Sequence, residues 1–227
     1  SFVGMFPASR PRYLVFVMLD EPKGIKETFN YSTAGWTEAL DIAGKQDHPL
    51  IVSAAYSGLG HAYLYKGEYA PADASYQNAL AVATKSGFRG HVAEAHVGIC
   101  ELYFQMKSYD LCRQHAQEAL AIGETIRKKD IQLKASAYLA VLMVRDGLFV
   151  EGVQRLRGIM ADARDYGDPQ SILIAERLLG QALAEHAPTE AGRNDGRSTL
   201  DRALVFAKDK EVAYEIQWIK RLLAGSS

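Results

Sequence analysis

The sequence predicts an all-α protein built as a solenoid of stacked helical hairpins, preceded by a short N-terminal β-hairpin-like extension. Two observations lead there. Residues of one character recur every forty positions, and within each unit the apolar residues keep helical spacing with a break in the middle. Self-similarity at such an interval marks an architecture in which each unit buries its apolar face only against its neighbours. The columns are several and independent. Leu59, Ile99, Leu139 and Leu179 form one, followed directly by Gly60, Cys100, Ala140 and Gly180. Ala55, Ala95, Ala135 and Ala175 form another, as do Tyr69, Tyr109 and Phe149, and Leu80, Leu120 and Met160.

Taken in chain order, residues 1–36 stand apart from the repeat. Residues 1–6 and 12–20 alternate or run apolar as strands do, with the proline-bounded stretch 7–11 as the turn between them. Pro11 and Pro22 forbid a long helix there. Projecting the columns backwards places Trp36, Ala39 and Leu40 in register, so residues 34–45 read as the second helix of an incomplete unit. In the first full unit Tyr56, Leu59, Gly60 and Tyr63 share one helical face. The Lys66-Gly67-Glu68 stretch ends that helix. Tyr69, Ala72, Tyr76, Ala79, Leu80 and Ala83 line the inner face of its partner, and Ser86-Gly87 closes the unit as a cap. Small residues at Gly60 and Ala72 fit the place where the two antiparallel backbones come closest. Later units repeat the scheme. In the fourth, the polar stretch 186–198 reads as a longer loop, with Leu200, Ala203, Leu204 and Ala207 resuming the second helix late. A last helix over 211–223, carrying Val212, Ile216, Trp218, Ile219 and Leu223, reads as a terminal cap.

Composition narrows the function classes. Of 227 residues 48% are apolar and 23% charged, an ordinary balance for a soluble folded chain. A formal net charge of −1 lacks the basic footprint of a dedicated nucleic-acid binder. The longest apolar run, residues 137–144, falls far short of the ~20 residues that span a bilayer, so no membrane partner is expected in this stretch. The six histidines form no zinc-type pair at i, i+4, and Cys100 and Cys112 lack Cys-x-x-Cys spacing, so neither a metal nor a cofactor is expected. The two cysteines fall in facing small-residue columns and are expected in contact, either as buried small hydrophobes or as a redox-sensitive pair. No phosphate loop, nucleophile elbow or acid–base pair stands out, and the chain is read as no enzyme.

The first unit, through Tyr56, Leu59, Gly60, Tyr63, Ala72, Tyr76 and Ala79, resembles the tetratricopeptide repeat. Ile99, Cys100, Tyr103, Tyr109, Cys112 and Ala119 carry the resemblance into the second unit, with a departure at Ala116. Leu139, Ala140, Met143, Phe149, Gly152 and Leu156 carry it more loosely into the third. The forty-residue interval is similar to the long-repeat subclass of kinesin light chains and maltose-type bacterial regulators. The resemblance covers residues 37–223 and implies a right-handed superhelix whose first helices line the concave side. Residues 1–24 together with Tyr31 to Trp36 resemble the end of a class B penicillin-binding transpeptidase domain. That family's Ser-x-x-Lys and Ser-x-Asn motifs do not occur here, and Lys85-Ser86-Gly87 sits at a helix end. Either a transpeptidase remnant is fused to a repeat protein, or the hairpin caps the first repeat.

On the first helices the outward positions carry Ser57, His61, Tyr65, Glu94, Glu101, Gln105, Lys134, Arg145, Arg177 and Gln181. Aromatic, arginine and amide groups on such a face suit capture of a peptide or partner helix. The same residues also suit a merely solvated face. The expected function is a protein-interaction scaffold in the cytoplasm, as part of a bacterial regulator. The alternative is a truncated, inactive transpeptidase fragment fused to repeats, which would place it in the periplasm. A regulator whose upstream part is a cyclase or a DNA-binding domain is a third possibility.

Overall fold

A computed structural model describes residues 30–45, 48–210 and 212–225, and these fold into ten helices. The expected strands at 1–6 and 12–20 lie outside the described residues. The helix α1 (Asn30–Lys45) precedes four hairpins. The first helix of each hairpin, here the A helix, is α2 (Pro49–Lys66), α4 (Arg89–Gln105), α6 (Lys129–Arg145) and α8 (Pro169–His186). The second, the B helix, is α3 (Tyr69–Lys85), α5 (Tyr109–Thr125), α7 (Phe149–Tyr166) and α9 (Glu190–Asp209). The helix α10 (Ala213–Gly225) follows them. The A helices begin forty residues apart, at 49, 89, 129 and 169, so the sequence columns are structural columns. This stack is the architecture that the tetratricopeptide resemblance implies.

The turns keep a beat of half that length. The backbone is left-handed at Gly67, Gly87, Lys107, Arg127, Gly147 and Gly167, twenty residues apart each time. Glycine reaches that region without cost, and four of the six turns use it. Lys107 and Arg127 take the same conformation, at φ of 60° and 56°, against the penalty a Cβ meets there.

The hairpins lock through small residues. Tyr76 on α3 is fully buried, and its ring lies between Gly60 of α2 and Gly98 of α4. A Cβ would stand 2.6 Å from that ring at Gly60 and 2.3 Å at Gly98. Two adjacent repeats thus share one aromatic wedge. Cys100, Cys112 and Ala116 join the apolar core that runs on through α6, α7 and α8. The Cys100 and Cys112 sulfurs lie 3.0 Å apart as free, buried thiols, so the expected contact exists. Burial pushes the Cys100 thiol well up, with the neighbouring Cys112 adding to the effect, which favours the thiol over the nucleophilic thiolate.

The fourth unit corrects the sequence reading. Most of the stretch 186–198 is helix, because α9 starts at Glu190. The connection is only Ala187-Pro188-Thr189: the proline keeps Ala187 extended, and the Thr189 hydroxyl caps α9 by accepting from the Gly192 amide at 3.1 Å. Gly196, Thr199 and Ala203 then fall forty residues beyond Leu156, Ile159 and Ala163, all of them buried.

Successive A helices touch one another, α2 with α4, α4 with α6 and α6 with α8. Successive B helices make no comparable contact among the described residues. A stack that is closer-spaced on one layer bends toward it, so the A row is the concave side.

Candidate functional site

The A row curves tightly enough for side chains two repeats apart to meet. Arg177 of α8, with its side chain fully buried, donates from Nη2 to Glu101 of α4 at 2.7 Å and to the Tyr138 hydroxyl of α6 at 3.3 Å. The groove therefore has a floor made of one guanidinium, one carboxylate and one phenol from three different repeats. The side that these residues present to the groove is filled by α10. Trp218 lies over Arg177, with the guanidinium carbon 4.2 Å from the ring centroid. Glu215 brings Oε2 to 3.0 Å from Arg177 Nε. That approach lacks hydrogen-bond geometry, and among the described residues Arg177 Nη1 also has no hydrogen-bond partner.

Sequence spacing puts both groups on one side of α10. Val212, Ile216, Ile219 and Leu223 pack on Leu173, Leu200, Ala203 and Ala207, and Glu215 stands one turn before Trp218 beside that stripe. At its far side Trp218 meets Tyr65 of α2 edge to face, with ring centroids 5.5 Å apart. The last described helix thus reaches the first full repeat across the groove. Between them lies a cavity of about 270 Å³ lined by Tyr65, Gln105, Gln217, Trp218 and Arg221 among others.

The electrostatics of the floor follow from one positive charge facing two buried carboxylates. Burial raises Glu215 from its ordinary value near 4.5 to about 7; Arg177 pulls it down, and Glu101 pushes it up further. Burial works against the charge on Arg177, but Glu215, Tyr138 and Glu101 together outweigh it and hold the guanidinium protonated. Tyr138 is pushed well up, chiefly by burial.

The remaining expected groove residues fall into local sets. His61 lies against the Ser57 carbonyl at 2.8 Å and stacks toward Tyr65, with ring centroids 6.2 Å apart. Glu94 pairs with buried Lys134 at 3.6 Å, and Lys134 also donates to Gln170 at 3.1 Å. Arg145 pairs with Glu185 at 3.0 Å and lies 4.5 Å from the Tyr109 ring centroid, while Gln181 donates to the same carboxylate at 2.8 Å. Of the ten residues, Tyr65, Glu101, Lys134 and Arg177 are buried, and the other six are half-buried. An outward position on an A helix is therefore not a solvent position in this molecule.

Sequence reasoning missed Glu215, Tyr138 and Glu185 as site residues. The one available signal was Glu215, an acidic residue at the edge of the apolar stripe of the last helix. It also missed a pair outside the groove: the Nδ1 atoms of His96 and His115 lie 2.8 Å apart, a hydrogen bond in which the tautomer sets which ring donates, and burial lowers both. Among the described residues no group of three histidine, cysteine or carboxylate side chains is placed to hold a metal ion. Among them too, no helix is long and apolar enough to cross a membrane.

No family model matches the chain. It is similar to two crystal structures of nearly identical TPR-like repeats from a putative kinesin light chain of Podosopora anserina, one of them a single-substitution form. Their TM-scores are 0.49 and 0.48 at 16% and 17% identity, covering 81% and 80% of this chain and 88% of each of those chains. A stretch of 43 residues is 46% identical to a probable peptidoglycan D,D-transpeptidase, FtsI, of Caulobacter vibrioides. That match takes in 17% of this chain and 7% of the length of the transpeptidase.

Proposed function

We propose that the chain is a non-enzymatic protein-interaction scaffold that holds a peptide or partner helix along its A row, within a larger bacterial regulator in the cytoplasm. The observation that carries this reading is that the concave side already grips a helix, through the guanidinium of Arg177 under the ring of Trp218. A buried arginine and large aromatics at the centre of a concave face, ringed by half-buried polar groups, have the make-up of an interaction hot spot. The groups assigned to the partner are Ser57, His61, Tyr65, Glu94, Glu101, Gln105, Lys134, Arg145, Arg177 and Gln181, with residues 37–223 as the binding unit. Lys134 and Arg177 are so deeply packed that truncating either would cost much stability and blur a binding readout, so the test uses half-buried members. Peptides selected from a random helical library against the immobilised chain should lose at least tenfold in affinity for the His61→Ala, Gln105→Ala, Gln181→Ala triple variant, with circular dichroism unchanged. Selected peptides indifferent to that variant, or a library that yields no binder, would overturn the reading.

A second reading rests on the 43-residue match to the transpeptidase: residues 1–36 are an inactive remnant of such a domain, joined to the repeats. Fluorescent penicillin should leave the chain unlabelled, and covalent labelling would refute the remnant's inactivity.

A further inference from the structure

We propose that α10 is a resident occupant of the groove which a partner displaces, and that this partner is an amphipathic helix presenting a Glu or Gln and, one turn on, a Trp to Arg177. The inference rests on the scaffold reading and names the partner's chemistry.

Four observations lead to it. First, the floor is balanced without α10. Arg177 keeps Glu101 at 2.7 Å and the Tyr138 hydroxyl at 3.3 Å, so withdrawing Glu215 leaves one positive and one negative charge together. A groove whose buried charge depended on its own helix could not open without exposing an unpaired ion. Second, Glu215 fits imperfectly. Its Oε2 stands 3.0 Å from the Arg177 Nε as an ion pair, yet among the described residues neither buried atom is held in hydrogen-bond alignment, which costs free energy relative to an aligned pair. Third, the seam between α10 and α2 is incompletely filled: the cavity of about 270 Å³ lies where Trp218 meets Tyr65, and Arg221 stands beside it. A helix with larger side chains at these positions gains contacts that α10 lacks.

Fourth, recognition is legible in atoms. The guanidinium offers its face to an aromatic ring and its Nε edge to an acceptor, which fixes both the residue types and their one-turn spacing on any helix that replaces α10. A glutamine oxygen serves the Nε edge as well as a carboxylate and avoids burying a second negative charge beside Glu101. A lysine at the same position would face Arg177 directly and is excluded.

The test uses a fluorescein-labelled synthetic peptide with the sequence of residues 212–225, read by anisotropy against the whole chain. The Trp218→Ala chain should bind it at least tenfold more tightly than the wild type, because its own α10 competes poorly. The same peptide carrying Trp218→Ala or Glu215→Lys should bind at least tenfold more weakly than the parent peptide. Hydrogen exchange on the wild-type chain asks the question without any variant: saturating peptide should speed exchange of the α10 amides and of no other helix. Equal binding by both chains, peptide binding with α10 exchange unchanged, or no binding at all would each overturn the proposal. Library peptides that need His61, Gln105 and Gln181 but leave α10 exchange unchanged would overturn displacement while sparing the scaffold.

Discussion

Arg177 faces two carboxylates with one charge, and the deficit falls on Glu215. Among the described residues Arg177 and Glu101 are the charged groups that face it, and together with burial they leave its carboxyl raised from near 4.5 to about 7. The sign follows from which state ionises first. Below about pH 4.5 the carboxyl is protonated whether α10 is docked or free, and docking is strongest. As pH rises toward 7 the free helix ionises while the docked one resists, so the hold weakens by at most roughly 3 kcal/mol and then levels off. Trp218 emission, measured in a Trp36→Phe background that makes it the sole tryptophan, should therefore shift red between pH 5 and 7.5. In Glu215→Gln that shift should vanish, with α10 docked throughout. The left-handed turns give a second expectation at this scale. Lys107→Gly and Arg127→Gly should each stabilise the chain by about 0.5–1 kcal/mol in urea denaturation, since the strain relieved exceeds the entropy glycine adds to the unfolded chain. The same replacement at neighbouring helical positions should destabilise.

At the scale of the helix, α9 depends on a residue usually taken as a breaker. A Cβ at Gly196 would stand 2.4 Å from the Ala184 amide nitrogen and 2.8 Å from the Gly180 carbonyl oxygen, both backbone atoms that no rotamer change can move. Gly196→Ala should therefore force α8 and α9 apart, at a cost of about 1–3 kcal/mol and a lower Tm by calorimetry. Gly158→Ala, on α7 in open space, should be neutral or stabilising. The contrast also explains what was legible in the sequence. The A helices and α3, α5 and α7 could be read because their columns are apolar or aromatic and their turns are marked by glycine, as at Gly67, Gly87, Gly147 and Gly167. The start of α9 could not, because Pro188, Gly192, Asn194 and Gly196 carry loop chemistry while serving as helix start, exposed face and close-packing site. The groove residues were legible as a row on the A helices. Their burial was not, since the curvature that brings Glu101 to Arg177 comes from the summed packing of several units, and the partners Glu215 and Trp218 come from a helix that reads as a simple cap.

Across the whole molecule the groove ties together units that a straight stack would keep apart. In an extended solenoid each repeat feels only its neighbours, and ends fray before the middle. Here Glu101 and Arg177 are 76 residues apart in sequence, and Tyr65 in the first full repeat touches Trp218 in the last helix. Calorimetry should therefore show one transition with equal calorimetric and van't Hoff enthalpies. Arg177→Met, which strands Glu101 and Glu215 with no counter-charge, should lower stability by about 3–5 kcal/mol and separate the unfolding of the terminal hairpins from that of the central ones. The contact between Tyr65 and Trp218 also gives the chain a mechanical character. Tension applied to residues 49 and 225 is borne first by that aromatic clasp and the guanidinium beneath it. The molecule should lengthen little until the clasp parts, and then the hairpins should yield together.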